Sequence, residues 1–107
     1  MIKFNDYGLL CPSCGGNYLR HDGVFVFNRV EDGKVTTVTT MNGGETTVCQ
    51  VPSERTSNPS SRRHGIAIRF WCELCAGTAE LAIAQHKGCT PCEWRNLSKP
   101  ASAYRAG

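Results

Sequence analysis

Short stretches in which apolar and polar residues alternate run through much of the chain, and this pattern is typical of β-strands with one buried face. The clearest is residues 65–71, where Ile66, Ile68 and Phe70 fall on one side of the strand. Residues 23–30 are dense in Val and Phe, which strands favour. Strands are therefore predicted over residues 2–7, 23–30, 35–40, 46–51 and 65–71.

Turn-forming residues separate these stretches and predict antiparallel hairpins. Asp32 and Gly33 form a pair preferred in type I′ turns, and residues 41–45 contain a second turn signal with two consecutive glycines. The segment 78–85 holds helix-forming Ala, Leu, Glu and Gln, but it is short and its Leu81 and Ile83 alternate, so we predict strand. The fold class expected from this pattern is small and all-β.

Two segments are expected to be solvated. Residues 35–40 are rich in Thr, which suits an exposed sheet face or a sheet edge. Residues 52–64 contain Ser, Asn, Pro and Arg with no large apolar residue, so they predict a long, mobile polar loop. Surface loops of this kind often carry the residues that bind a partner. The alternative is a long insertion with no role of its own.

Cysteine spacing adds a metal site to this picture. The chain has 107 residues and 7 cysteines, and six of the cysteines fall in three Cys-x-x-Cys pairs. A single domain of this size is marginal without extra stabilisation, and Cys-x-x-Cys pairs are typical of zinc sites. We predict that Cys11, Cys14, Cys72 and Cys75 form two zinc knuckles around one structural Zn²⁺. The result is a zinc ribbon, with antiparallel hairpins joined by the knuckles.

A rival assignment pairs Cys72 and Cys75 with Cys89 and Cys92, only 13 residues further on. The first assignment is favoured because Pro12 and the glycines after Cys14 suit a tight knuckle, whereas no glycine follows the third pair. The remaining candidates for a second zinc ion are Cys89, Cys92, Cys49 and His86. The third pair could also be a redox-active dithiol, but two ordinary reduced cysteines are the interpretation with most weight.

Charge gives a weaker functional signal. The net charge of +3 allows nucleic-acid binding without the strongly basic composition of a dedicated binder. The candidate phosphate-binding residues, clustered in or near the polar loop, are Arg55, Arg62, Arg63, His64 and Arg69. A closed four-thiolate zinc site has no open coordination position, so we expect no enzymatic activity and no small-molecule substrate.

The chain also resembles a known group of proteins. Residues 58–65, 70–75 and 85–88, together with Trp94, are similar to small zinc-ribbon proteins of bacterial phages and prophages, whose function is unassigned. The resemblance implies a phage or bacterial origin and Cys11, Cys14, Cys72 and Cys75 as ligands. Cys89 and Cys92 depart from that pattern.

The sequence thus predicts one zinc-ribbon domain over residues 1–95 and a flexible tail over 96–107. No signal peptide or membrane span is evident, so the cytoplasm of a bacterial host is the expected location. The expected function is a non-enzymatic zinc-binding module that binds a macromolecule. Nucleic acid, specifically DNA, is the favoured partner, and a host protein is the alternative. A protein partner would use an exposed sheet edge.

Overall fold

The computed structural model describes residues 2–98, and no α-helix forms among them. Eight strands follow one another along the chain: β1 (Phe4–Asn5), β2 (Gly8–Leu9), β3 (Leu19–Asn28), β4 (Val35–Asn42), β5 (Glu45–Pro52), β6 (Gly65–Cys72), β7 (Thr78–Ala84) and β8 (Cys92–Ser98). One 3₁₀ turn, Ser53–Arg55, follows β5. The first two strands form a small hairpin, and the other six form one antiparallel sheet in the order β5-β4-β3-β6-β7-β8.

The two predicted hairpin turns differ in form. Gly43 and Gly44 both have positive φ, 60° and 85°, and they connect β4 to β5 as a two-residue turn of the primed kind. The turn around Asp32 and Gly33 is longer, because the last paired residue of β3, Asn28, faces Thr37. Only Asp32 has positive φ there, so the predicted type I′ geometry is wrong although the hairpin itself is present.

The two faces of the six-stranded sheet have different surroundings. We call the face that carries Phe25, Phe27, Ala67 and Ala82 the covered face, because Phe27, Ala67 and Ala82 are almost fully buried on it. We call the opposite side the open face. Its side chains alternate with those of the covered face and include Val24, Val26, Ile66, Ile68, Leu81, Ile83 and Trp94.

The polar loop lies across the covered face. At its start the Ser53 hydroxyl is 2.8 Å from that of Thr36, and further along the Arg95 guanidinium donates to the Ser57 carbonyl at 2.7 Å. Beyond these contacts, the Ser60 hydroxyl donates to the carbonyl of Gln85 at 2.9 Å. The segment predicted as a loop is therefore held against several strands of the sheet by polar contacts.

Most predicted strands are confirmed, including 78–85, where strand rather than helix forms. The first predicted strand is instead split into β1 and β2 by a turn. The Thr-rich strand β4 pairs on both sides, so it is not a sheet edge, and β5 has that position. Strand β8 was not predicted, and its last residues, Asn96 to Ser98, reach into the predicted tail. The remainder of that tail, 99–107, lies outside the described residues.

Candidate metal centre

Four cysteines meet at one end of the six-stranded sheet. Cys72 is the last residue of β6, and Cys75 lies in the turn that leads to β7. Cys11 and Cys14 lie in the connection between β2 and β3. Leu19, the first residue of β3, pairs with Cys72 and packs against the cysteines. The sheet therefore fixes one pair, and the start of β3 brings the other pair to it.

The two cysteine loops share one backbone hydrogen-bonding pattern. The amide of Cys11 donates to the carbonyl of Gly16 at 2.9 Å, and the amide of Cys72 donates to that of Gly77 at 2.9 Å. In the reverse direction, the residues that follow Cys14 and Cys75 donate their amides to the carbonyls of Cys11 and Cys72 at 2.9 and 2.8 Å. The two loops thus have the same backbone hydrogen bonds at equivalent positions.

Sulfur positions match a tetrahedral metal site. The ligand atoms of the four cysteines all lie within 4.8 Å of one another, and the Cys11–Cys75 and Cys14–Cys72 sulfur pairs are 3.8 and 3.7 Å apart. Four thiolates around an ion at about 2.3 Å would have sulfurs about 3.8 Å apart. The donor set and its spacing therefore fit one metal ion at the centre of the cluster.

The immediate surroundings also suit thiolate ligands. The amides of Ser13 and Gly77 point at the sulfurs of Cys11 and Cys75, each at 3.4 Å, which stabilises negative charge on sulfur. Cys72 is fully buried. Burial raises the pKa of its thiol to about 12 and also raises the pKa of Cys14. A metal cation bound by the sulfurs would lower these pKa values, because it favours the thiolate form.

One residue of the second loop carries backbone strain that its counterpart avoids. Ala76 has φ 58°, and the equivalent Gly15 has φ 77°. A side chain is unfavourable in this left-handed region, whereas glycine adopts it freely. We expect Ala76→Gly to raise the free energy of unfolding by up to about 1 kcal/mol, measured by denaturant titration of metal-loaded protein. Ala84→Gly, within β7, is the matched control and is expected to lower stability by about 0.5–1 kcal/mol. A lower stability for Ala76→Gly would contradict the proposed loop geometry.

The other candidate ligands do not join this cluster. Cys49 lies on β5 and Cys92 on β8, at opposite edges of the six-stranded sheet. His86 and Cys89 pair through their backbones in the turn before β8, and the Cys92 thiol is directed at the carbonyl of Thr90 at 3.5 Å. Across residues 2–98, the four-cysteine cluster is the one group of three or more such side chains at ligand distance.

The arginines predicted to contact phosphate are mostly engaged by carboxylates. Arg62 binds Asp32 at 2.8 Å, and Arg63 contacts Glu31 at 3.2 Å. The hydrogen bond from Arg62 lowers the pKa of Asp32, and the same bond raises the pKa of Arg62. These two arginines therefore have part of their charge compensated within the chain.

The other residues predicted to contact nucleic acid are Arg69, His64 and Arg55, and their surroundings differ from those of Arg62 and Arg63. Arg69 contacts Asp22 at 3.2 Å and also stacks over the ring of Phe25, with its guanidinium carbon 5.5 Å from the ring centre. His64 accepts a hydrogen bond at Nδ1 from the amide of Arg29, at 3.0 Å. Arg55, at the end of the 3₁₀ turn, has no ion pair or side-chain hydrogen bond within the part of the chain that the structure describes.

Part of the cysteine motif and part of the group of basic residues at the polar loop were not predicted from the sequence. The repeat of the cysteine motif extends two residues further than was predicted, as Cys14-Gly15-Gly16 and Cys75-Ala76-Gly77, and this similarity is visible in the sequence. Arg29 and Lys34 also belong with the loop arginines, since both line a cleft of about 350 Å³ with Ser53 and Glu54. No sequence signal links these residues, because the hairpin and the loop meet only in the folded chain.

Comparison with known proteins gives no relative. No family model, no curated protein and no solved structure matches the chain. The resemblance to phage zinc-ribbon proteins therefore stays a prediction. No helix in residues 2–98 is long and apolar enough to cross a membrane.

Proposed function

We propose that this protein is a non-enzymatic binding module held together by one structural Zn²⁺. The observation that carries the proposal is the cluster of Cys11, Cys14, Cys72 and Cys75, whose sulfur spacing matches the thiolate tetrahedron that zinc prefers. All four coordination positions are filled by protein sulfur, which leaves no position for a substrate. The zinc supports the fold, and binding falls to other surfaces.

The partner that charge favours is nucleic acid, contacted at the end of the sheet opposite the cysteines. We call this surface the basic end; its charged residues are Arg29, Lys34, Arg55, Arg62, Arg63, Glu31, Asp32 and Glu54. Basic side chains outnumber acidic ones there, and Arg55 and Lys34 have no ion-pair partner within residues 2–98. Phosphates attract such free cations and release counterions on binding.

A titration of zinc-loaded protein into labelled single-stranded and duplex DNA, at two salt concentrations, tests this proposal. We expect binding that weakens steeply with salt, and a double variant Lys34→Ala with Arg55→Ala is expected to bind about 10-fold more weakly with a reduced salt slope. Lys3→Ala, an exposed lysine at the cysteine end, is the matched control and should leave affinity nearly unchanged. Protein stripped of zinc is expected to lose binding together with its fold.

Two results would overturn the nucleic-acid part of the proposal. One is no binding at low salt, and the other is equal loss of affinity in the Lys3→Ala control. Either would leave a protein partner as the second candidate. One observation supports that candidate: β5 is an exposed edge strand whose single charged residue is Glu45 at its start. An edge of this kind can pair with a strand of another protein.

A further inference from the structure

The open face of the sheet is apolar and carries no charged side chain at its centre. Along its central rows, Val24 aligns with Ile68 and Leu81, and Val26 aligns with Ile66 and Ile83. On the other side of β3, the same rows continue into Met41 and Thr39, and then into Thr46 and Val48. A continuous uncharged surface therefore runs across at least five strands.

Around its central rows this face is not covered by another layer of the described chain, whereas beside β8 the residues Ile2 and Pro12 line a cleft together with Trp94. Val26 lies on β3, in the middle of the sheet, yet it is 37% exposed, and Val48 on β5 is 64% exposed. By contrast, Phe27, the next residue along β3, is 3% exposed beneath the polar loop. The difference between these neighbours shows that, at the middle of β3, the covered face is shielded and the open face is exposed.

Stable domains usually bury an apolar sheet face against a second layer. The central rows of the open face have the chemistry of a buried surface but lack that layer.

Composition argues against residues 99–107 as the missing layer. Residues 99–107 are Lys-Pro-Ala-Ser-Ala-Tyr-Arg-Ala-Gly, with one aromatic and two basic side chains. Nine small or polar residues offer too little apolar surface for a face that is about 29 Å wide across six strands. A second copy of the same sheet offers an apolar surface of equal size. An uncharged face can also meet itself across a two-fold axis without like-charge repulsion.

We propose that two copies of this chain associate through their open faces to form a β-sandwich dimer. Sheets packed in this way lie about 10 Å apart, with their side chains interdigitated. With about 4.8 Å between strands and about 3.4 Å per residue, six strands of about five residues each give a face of about 29 by 17 Å, so the dimer would bury about 500 Å² on each copy and about 1,000 Å² in total. That area is at the lower limit for a specific interface, so a dissociation constant in the micromolar range is expected.

Analytical ultracentrifugation of the zinc-loaded full chain, without nucleic acid and from ~1 to ~500 μM, tests this dimer. Val48→Asp and Thr47→Asp form a matched pair, because these neighbours lie on the same exposed edge strand but point to opposite faces. We expect Val48→Asp to weaken dimerisation about 5-fold or more and Thr47→Asp to leave it nearly unchanged. Val26→Asp, at the centre of the face, is expected to weaken it by about 30-fold or more.

Three results would overturn the proposal. The first is a monomer at every concentration. The second is a dimer that both β5 variants weaken equally, because that pattern indicates pairing along the edge of β5. The third is a monomer that becomes a dimer only when the chain is ended at Ser98, which would mean that residues 99–107 cover the face. Circular dichroism and zinc content confirm that each variant is folded. The outcome is independent of nucleic-acid binding.

Discussion

Replacement of Cys72 by Ser is expected to abolish zinc binding and unfold the protein. Cys72 is fully buried, contributes one of the four sulfurs, and ends the strand that connects the sheet to the metal cluster. Structural zinc can contribute about 10–16 kcal/mol of apparent free energy in small domains, which exceeds the total stability of most domains of this size. A site left with three thiolates would lose most of that stabilisation.

The measurement combines metal analysis with circular dichroism. The wild-type chain is expected to hold one zinc ion per molecule and to unfold when a strong chelator removes it. Cys49→Ser and Cys89→Ser are matched controls, since both cysteines are exposed and lie outside the cluster. Each control should keep one zinc ion and an unchanged melting temperature. A folded, zinc-bound Cys72→Ser protein would refute the assigned site, and two zinc ions in the wild type would indicate a second one.

The second large effect is expected from Gly65→Ala, at the first residue of β6. A β-carbon there would lie 2.0 Å from Oδ1 of Asn58 and 2.8 Å from Cδ of Pro59. Asn58 has little freedom to move, because its side chain donates to the carbonyl of Arg63 at 2.9 Å and accepts from the amide of Ser60 at 3.0 Å. The added methyl group must therefore displace the polar loop from the covered face.

We expect Gly65→Ala to lower the free energy of unfolding by about 2–3 kcal/mol and the melting temperature by roughly 10 °C. Gly88→Ala is the control, since a β-carbon at Gly88 would meet nothing within 4 Å. Its stability should stay within about 0.5 kcal/mol of the wild type. Zinc content should remain at one ion per chain in both variants, because the clash is at the opposite end of the sheet. Equal melting temperatures for the two variants would show that the loop is not packed as described.

The cysteine cluster could be predicted because its signal is local. Each half is a short motif whose proline or glycines suit one loop geometry, so only the pairing of the two halves needed a choice. Pro12 and the glycines after Cys14 favoured Cys11 over Cys89 as a partner of Cys72, and the fold places Cys11, Cys14, Cys72 and Cys75 at ligand distance from one another. Strand β8 was missed for the opposite reason: around Trp94 it has few apolar residues, and its pairing depends on contacts such as the one between Arg95 and Glu80.

The charge pattern was harder to interpret from sequence alone. Arg62 and Arg63 are adjacent in the sequence, and their partners Glu31 and Asp32 lie about 30 residues earlier. Whether charges on such distant segments compensate each other depends on the fold, because only the fold brings the segments together. The covered and open faces show the same limitation. Alternation along β3 predicts that Val26 and Phe27 point to opposite sides, but only the path of the polar loop determines which of them is buried.

The wide separation of the two cysteine loops affects how the protein is made. Between Cys14 and Cys72 the ribosome must add 57 residues, which takes about 3–12 s at typical rates of synthesis. During that interval the nascent chain holds only the first two sulfurs of the site. Stable capture of the metal must await the end of β6, after the hairpin of β4 and β5 has already been made. Under the proposed zinc assignment the ion would be acquired late in synthesis, and zinc supply is expected to affect the yield of folded protein more than the early steps of its folding.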